Sequence, residues 1–188
     1  MARVSDLPSS EQTSEQAKIY AEIAGPRGGV VRGPFAIWLR NPEIADKANQ
    51  LGNALRVKGK LDKRLFELAI LVVARAWTAQ YEWFAHAQAA LEVGLDASVI
   101  SSLQEGKEPL FNKEDEKIVY KVTLELQTNH KLSDSTYADA EKLLGLSLLI
   151  ELISVIGFYT MVAIVLNGFE APVPGNELPL TGNGFRNP

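Results

Sequence analysis

One segment constrains the fold of this chain more than any other: the stretch from Leu146 to Leu166, which carries a single charged residue. Its length is close to the roughly 20 apolar residues that span a bilayer. The charged residue is Glu151, and an ionised carboxylate inside a membrane costs roughly 2.5 to 3.5 kcal/mol. No basic cluster flanks the segment. We therefore predict no membrane partner and interpret the segment as a buried helix, and, because one domain of 188 residues has little room for it, as the central helix of an oligomer.

The rest of the sequence also indicates helices. Apolar residues recur at helical spacing, and no alternating strand pattern or internal repeat is present. Asn112 is expected to cap one of the helices, and a kink is allowed between 62 and 93. The predicted helices cover residues 11–24, 42–58, 62–93, 96–103, 112–128, 133–144 and 146–167. The sequence therefore predicts an all-α fold.

The two ends differ in composition from the middle. Residues 1–10 are polar and contain Pro8, and we expect a flexible N-terminal tail. One helical domain is expected over residues 11–169. Residues 170–188 are rich in proline and glycine, and should be either disordered or an arm that lies on a neighbouring subunit. Because no apolar core follows the first arginine, we expect no secretory signal and a cytoplasmic protein.

Composition excludes several kinds of chemistry. The chain has no cysteine, which excludes disulfides, thiolate zinc sites and thiol nucleophiles. Nineteen basic against 23 acidic residues give a net charge of −4, which offers no footprint for a nucleic acid. Two histidines without a metal-binding motif predict no metal site, and the glycines at 28, 29 and 33 lack the sequence of a phosphate loop. We expect no cofactor.

Two carboxylates and one histidine are the candidates for proton transfer. Glu82 and His86 are four residues apart and share a helical face, where a carboxylate raises the basicity of an imidazole. Glu67 lies among apolar residues, where burial would raise its pKa. The alternatives are a surface ion pair for Glu82 and His86, and a structural pair of Glu67 with Arg64 or Arg75.

Five further residues are candidates for binding a substrate. Arg32 and Arg75 could each clamp a carboxylate with the guanidinium fork, or act only as surface charge or in structural pairs. Trp83 and Tyr159 could line a pocket, or belong to the core. His130 lies in a polar loop, where most histidines are solvated.

Several spaced motifs resemble one known family. They run in order from a glycine-proline loop, through a central segment with two carboxylates and a histidine, to the last helix. The motifs are Gly33-Pro34-Phe35, Asn41-Pro42, Glu67, Leu71, Ala74-Arg75, Tyr81-Glu82-Trp83, His86, Ala90, Gly94, Glu151-Leu152, Gly157-Phe158-Tyr159 and Leu166-Asn167. Over residues 25–167 the chain resembles the carboxymuconolactone decarboxylase superfamily, which includes alkylhydroperoxidase-like proteins.

The resemblance implies an alkylhydroperoxidase-like helical fold packed into trimers or hexamers. The thiol branch of the superfamily has two cysteines where this chain has Ala79 and Glu82, so we expect no thiol peroxidase but a member of the cysteine-free decarboxylase branch. The implied function is a cofactor-independent lyase that decarboxylates a small lactone or related acid, as in the degradation of aromatic compounds. His86 would be the acid/base, and Glu67 would orient it. The alternatives are an enol-lactone isomerase with the same pair and a non-catalytic oligomeric protein that binds small molecules.

A shared site for Glu67 and His86 makes a geometric demand. Nineteen residues of straight helix would separate them by about 28 Å. The helix must therefore break between Arg75 and Thr78, or the site must combine two subunits.

Overall fold

The all-α prediction is confirmed by the structure, a computed structural model that describes residues 2–182 and 184–185. Within these residues there are nine α-helices and no strand. The helices are α1 (Ser14–Ala24), α2 (Pro34–Trp38), α3 (Pro42–Arg56), α4 (Lys63–Ala76), α5 (Gln80–Glu92), α6 (Ala97–Gln104), α7 (Glu114–Thr128), α8 (Asp134–Leu144) and α9 (Leu146–Gly168).

Side-chain caps set most of the helix starts. Thr13 and Gln16 form a capping box at the start of α1, Asn41 caps α3, and Ser133 caps α8. The predicted cap at Asn112 is wrong: α7 begins at Glu114, after Lys113, whose side chain makes no capping bond. Three acidic residues in the first turn of α7 instead favour this start through the helix dipole.

The described chain divides into two compact units, of which the first comprises residues 2–59 and 165–172. In this unit α1 and α2 both pack on α3. Arg27 donates to Asn49 Oδ1 at 3.0 Å and stacks over the ring of Phe35. The predicted tail makes contacts here, since Arg3 donates from its backbone to Phe169 O and from its side chain to Gly168 O.

The second unit comprises residues 60–164 and 173–185, apart from 183. Its central helix is α4, which packs against α5, α6 and α7, while α8 packs on α7. Every residue of α4 from Leu65 to Arg75 is buried. The most enclosed helix of this unit is therefore α4, and the central position of α9 in an oligomer stays a prediction.

The helix α9 is buried along one side only. Leu149, Leu152 and Val155 are fully enclosed, whereas Leu146 and Ile150 are more than half exposed. By length and composition alone α9 is apolar enough to cross a membrane, which is weak evidence because core helices of soluble proteins pass the same test. Its carboxylate has a structural role in the described chain: Glu151 accepts hydrogen bonds from the backbone N–H groups of Lys60 and Leu61 at 3.0 and 2.9 Å.

The C-terminal segment, defined as residues 173–182 and 184–185, lies against its own chain. Gln80 exchanges two hydrogen bonds with the backbone of Leu180, and Gln104 donates to Pro179 O at 2.9 Å. Two glutamine side chains that pair with backbone groups hold this irregular segment on its own chain. Docking of the predicted C-terminal arm on a neighbouring subunit stays a prediction.

Candidate active site

The predicted break between α4 and α5 is present and has a defined geometry. Helix α4 ends at Ala76, and α5 begins at Gln80. Thr78 N–H donates to Arg75 O and Ala79 N–H donates to Ala74 O, which is the Schellman pattern of a helix end. Thr78 occupies the left-handed position of this motif with φ +48°, where glycine is usual and a β-branched residue is strained.

The break allows α5 to pack back on α4 and brings the two candidate groups together. Glu67 Oε2 lies 2.6 Å from His86 Nδ1, and both residues are less than a tenth exposed. With Glu67 as a carboxylate, the Nδ1–H of the ring is the donor, and such a contact fixes the tautomer and the orientation of the imidazole. The demand that Glu67 and His86 share a site is thus met within one subunit.

An aromatic ring of α9 packs on the imidazole. Tyr159 of α9 meets the His86 ring edge to face with centroids 5.2 Å apart. Phe66 of α4 meets Tyr159 in the same way at 5.7 Å. Tyr159, predicted as a pocket residue, therefore lies beside the pair. Phe66 was missed, and its only signal in the sequence is its place next to Glu67.

Glu82 lies on α5 one helical turn before His86 and is 1% exposed. The expected pairing of Glu82 with His86 is wrong, because neither carboxyl oxygen of Glu82 has a hydrogen-bond partner among the described residues. Glu67 takes that role across the helix pair. Burial raises the pKa of Glu82 well above its ordinary value of 4.5. Trp83, the next residue, is buried at 2% exposure, in accord with either a core or a pocket position.

The guanidinium of Arg75 holds the C-terminal segment. It donates from Nε and Nη2 to Gly184 O, at 3.0 and 2.6 Å, and from Nη2 to Thr181 O at 3.0 Å. A further bond from Nη1 reaches Gln104 O at 3.4 Å. Arg75 is 2% exposed, so these contacts favour the structural alternative, and the carboxylate clamp stays a prediction.

The alternative partner for Glu67, Arg64, is occupied elsewhere. Its guanidinium forms ion pairs with Asp115, at 2.6 Å, and with Glu116 of α7. Desolvation of Asp115 by burial would raise its pKa. The hydrogen bond and the attraction to Arg64 outweigh this effect, so the pKa of Asp115 is lowered. These ion pairs of Arg64 with Asp115 and Glu116 join α4 to α7. Glu67 bonds the imidazole of His86 instead of Arg64.

Two predicted binding residues lie at the surface. Arg32 is exposed in the glycine-rich loop of the first unit. His130 is exposed in the turn after α7, with φ +60°. Roles for Arg32 and His130 in binding stay predictions.

Open grooves of the second unit run along α7. One groove of about 570 Å³ is lined by Lys117, Lys121 and Lys142 among others, and another of about 510 Å³ by Phe111 and Tyr120 among others. Neither includes Glu67 or His86. No group of three or more histidine, aspartate or glutamate side chains in the described chain is placed to hold a metal ion.

Comparison with known proteins gives one match. Residues 42–109, which include Glu67, Glu82 and His86, match the model of the carboxymuconolactone decarboxylase family. The resemblance predicted from the sequence is confirmed over this segment, and the family has the alkylhydroperoxidase-like helical fold. It includes decarboxylases and also many non-catalytic members, and its proteins are typically soluble. No curated protein and no solved structure matches the chain.

Proposed function

We propose that this chain, whose residues 42–109 match the carboxymuconolactone decarboxylase family, is a cofactor-independent carboxy-lyase that acts on a small lactone acid or related carboxylic acid. The observation that supports it is the buried contact of 2.6 Å between Glu67 and His86. A histidine oriented by a carboxylate in a site shielded from water is suited to proton transfer.

The proposed reaction needs only a proton donor and a place for negative charge. The bond between the carboxylate carbon and its neighbour breaks, carbon dioxide leaves, and the electron pair moves onto the adjacent carbonyl as an enolate. His86 then donates a proton to the carbanion carbon. Because Nδ1 faces Glu67, we assign this transfer to Nε2, while Glu67 stabilises the imidazolium before the proton leaves.

Release of carbon dioxide tests this function. A panel of lactone acids is incubated with the wild type, His86→Gln and Gln88→Ala, an exposed position on the same helix. We expect turnover by the wild type and Gln88→Ala, and a loss of about 100-fold or more in His86→Gln, the usual contribution of a positioned acid/base. Equal turnover in all three proteins would contradict the assignment.

The alternatives give different products in the same assay. An enol-lactone isomerase would shift the double bond of the lactone without release of carbon dioxide, and this shift would also depend on His86. A non-catalytic protein would bind a lactone acid and leave it unchanged. Mass spectrometry of the reaction mixture separates these outcomes.

We also propose that the protein is a cytoplasmic homo-oligomer, a trimer or hexamer. The support is an exposed apolar side of α9, which includes Leu146, Ile150, Ile153, Met161 and Ile164. An apolar surface of this kind marks an interaction site. Sedimentation of the wild type and of Ile150→Glu tests the proposal: we expect a defined oligomer that the glutamate dissociates, and a monomeric wild type would contradict it.

A further inference from the structure

Glu82 is a buried carboxyl for which the fold supplies no partner. It is 1% exposed, and neither Oε1 nor Oε2 accepts or donates a hydrogen bond within the described residues. Buried polar side chains are paired in the large majority of cases, so each exception needs an explanation. Glu82 and His86 lie four residues apart on α5, so the unpaired carboxyl is on the same helical face as the proposed acid/base.

The environment of Glu82 determines which form of the carboxyl is present. Burial disfavours the ionised form and raises the pKa of this group. Since no hydrogen bond offsets that cost, the buried site favours the neutral carboxyl over the carboxylate. A protonated carboxyl has an O–H donor. Glu82 in this form cannot act as a base, but it can bind an oxygen that gains negative charge.

We propose that Glu82 donates a hydrogen bond from its neutral carboxyl to the carbonyl oxygen of a ligand bound beside His86. This inference rests on the proposed function and narrows its substrates to acids whose leaving carboxylate is on the carbon next to a carbonyl group, or on a carbon conjugated with that carbonyl through a double bond. As the carbon–carbon bond to the carboxylate breaks, the electron pair forms an enolate oxygen that accepts the Glu82 O–H. Glu82 keeps its proton, the imidazolium of His86 protonates the carbon, and solvent returns one proton to His86.

The test compares Glu82→Gln with Glu82→Leu. Both variants lack an ionisable group, but only the amide of glutamine retains a donor. p-Nitrophenol is the binding probe, because its phenolate resembles an enolate oxygen and its absorbance reports ionisation. We expect Glu82→Gln to bind the phenolate and to turn over lactone acids within a few-fold of the wild type. Glu82→Leu should lose phenolate affinity and about 100-fold in kcat, the usual effect of removing one donor to an oxyanion.

A spectroscopic readout does not depend on ligands or turnover. Infrared spectra at neutral pH should show a protonated carboxyl band in the wild type that is absent from Glu82→Gln. Circular dichroism and melting curves establish that each variant is folded, and if Glu82→Leu does not fold, the infrared comparison decides. Absence of the protonated band would overturn the proposal.

The outcomes separate this inference from the proposed function. Equal losses in Glu82→Gln and Glu82→Leu would indicate a base and overturn the inference, as would unchanged phenolate binding in Glu82→Leu. Turnover that is unaffected by the leucine overturns the inference and leaves the lyase standing. The wild type and Glu82→Gln could bind the phenolate, and Glu82→Leu lose it, while the wild type turns over no lactone acid. This result would support Glu82 as a donor and overturn the lyase.

Discussion

Glu67 Oε2 and His86 Nδ1 are 2.6 Å apart, although nineteen residues of sequence separate them. We expect His86→Ala to lower the free energy of unfolding by about 3 kcal/mol, because it removes the imidazole that bonds a buried carboxyl. Adding Glu67→Gln should recover part of this loss, with a coupling energy of at least about 1 kcal/mol in a double-mutant cycle by urea unfolding. Two losses that simply add would contradict this coupling.

The raised pKa of Glu82 makes stability depend on pH. Above its ordinary value of 4.5 the unfolded chain loses the Glu82 proton while the folded chain keeps it, so the free energy of unfolding falls as pH rises toward the folded pKa. The contribution is fully present below the ordinary value. We expect Glu82→Gln to gain stability relative to the wild type as pH rises, by up to about 1.4 kcal/mol per pH unit.

Denaturant unfolding at several pH values measures this difference. Glu92→Gln is the matched control, since Glu92 is exposed on the same helix. The control should follow the wild type across the range. If Glu82→Gln also follows the wild type, the carboxyl of Glu82 is not titrating abnormally.

The left-handed conformation of Thr78 predicts that glycine at this position gives a more stable protein than alanine, which is the reverse of their usual order in a helix. Thr78→Gly and Thr78→Ala both remove the hydroxyl that accepts from Gly184 N–H at 2.8 Å, so in the folded chain they differ chiefly in their tolerance of φ +48°. We expect the glycine variant to be more stable than the alanine variant by about 1 kcal/mol, despite the greater freedom of glycine when unfolded. Thermal melting of the pair checks this order, and the opposite order would contradict the observed backbone angle.

Gly184 lies close to the backbone of Ala76, at the end of α4, whereas Gly182 has no such close contact. A Cβ on Gly184 would lie 3.0 Å from Ala76 O, whereas one on Gly182 would have nothing nearer than 4.0 Å. Both glycines have positive φ, so Gly182→Ala is a control for backbone strain alone. We expect Gly184→Ala to be the less stable variant, by roughly 1 to 3 kcal/mol, and to speed protease cleavage within the C-terminal segment. Equal cleavage rates would show that this segment does not pack on the end of α4.

Glu151 should stabilise the fold rather than oppose it. Glu151→Leu makes α9 more apolar but removes both acceptors of the Lys60 and Leu61 N–H groups. We expect a loss of about 2 kcal/mol in urea unfolding, and a smaller loss for Glu151→Gln, which keeps one acceptor. Ile150→Leu, at the exposed neighbouring position, should be nearly neutral. A more stable leucine variant would indicate that the carboxylate does not make these bonds.

The sequence predicted the helices and the meeting of Glu67 with His86 because both follow from strong signals. Helical periodicity marks amphipathic segments directly, and the family resemblance required a break near Thr78. It did not predict which carboxylate bonds the imidazole. Glu82 has the right spacing on the same helix, but the packing of α5 on α4 directs the ring of His86 toward Glu67.

The sequence did not predict the role of Arg75 or the path of the C-terminal segment, for another reason. The acceptors of Arg75 are backbone carbonyls of Thr181 and Gly184, which every residue type carries. Thr78 likewise adopts a left-handed backbone angle. A threonine in the sequence does not predict this angle, because glycine is the residue that usually adopts it. The full burial of α4 depends on which helices surround it, and hydrophobicity along the chain does not contain that information.

The bonds of Arg75 also bear on synthesis of the protein. A nascent chain that has emerged only as far as α9 contains the whole α4–α5 corner, but it lacks the Thr181 and Gly184 carbonyls that bind this guanidinium. Until those residues leave the ribosome, the guanidinium has the Gln104 carbonyl as an acceptor but lacks the other two, and because burial of a cation with fewer acceptors is costly, the α4–α5 corner is less stable.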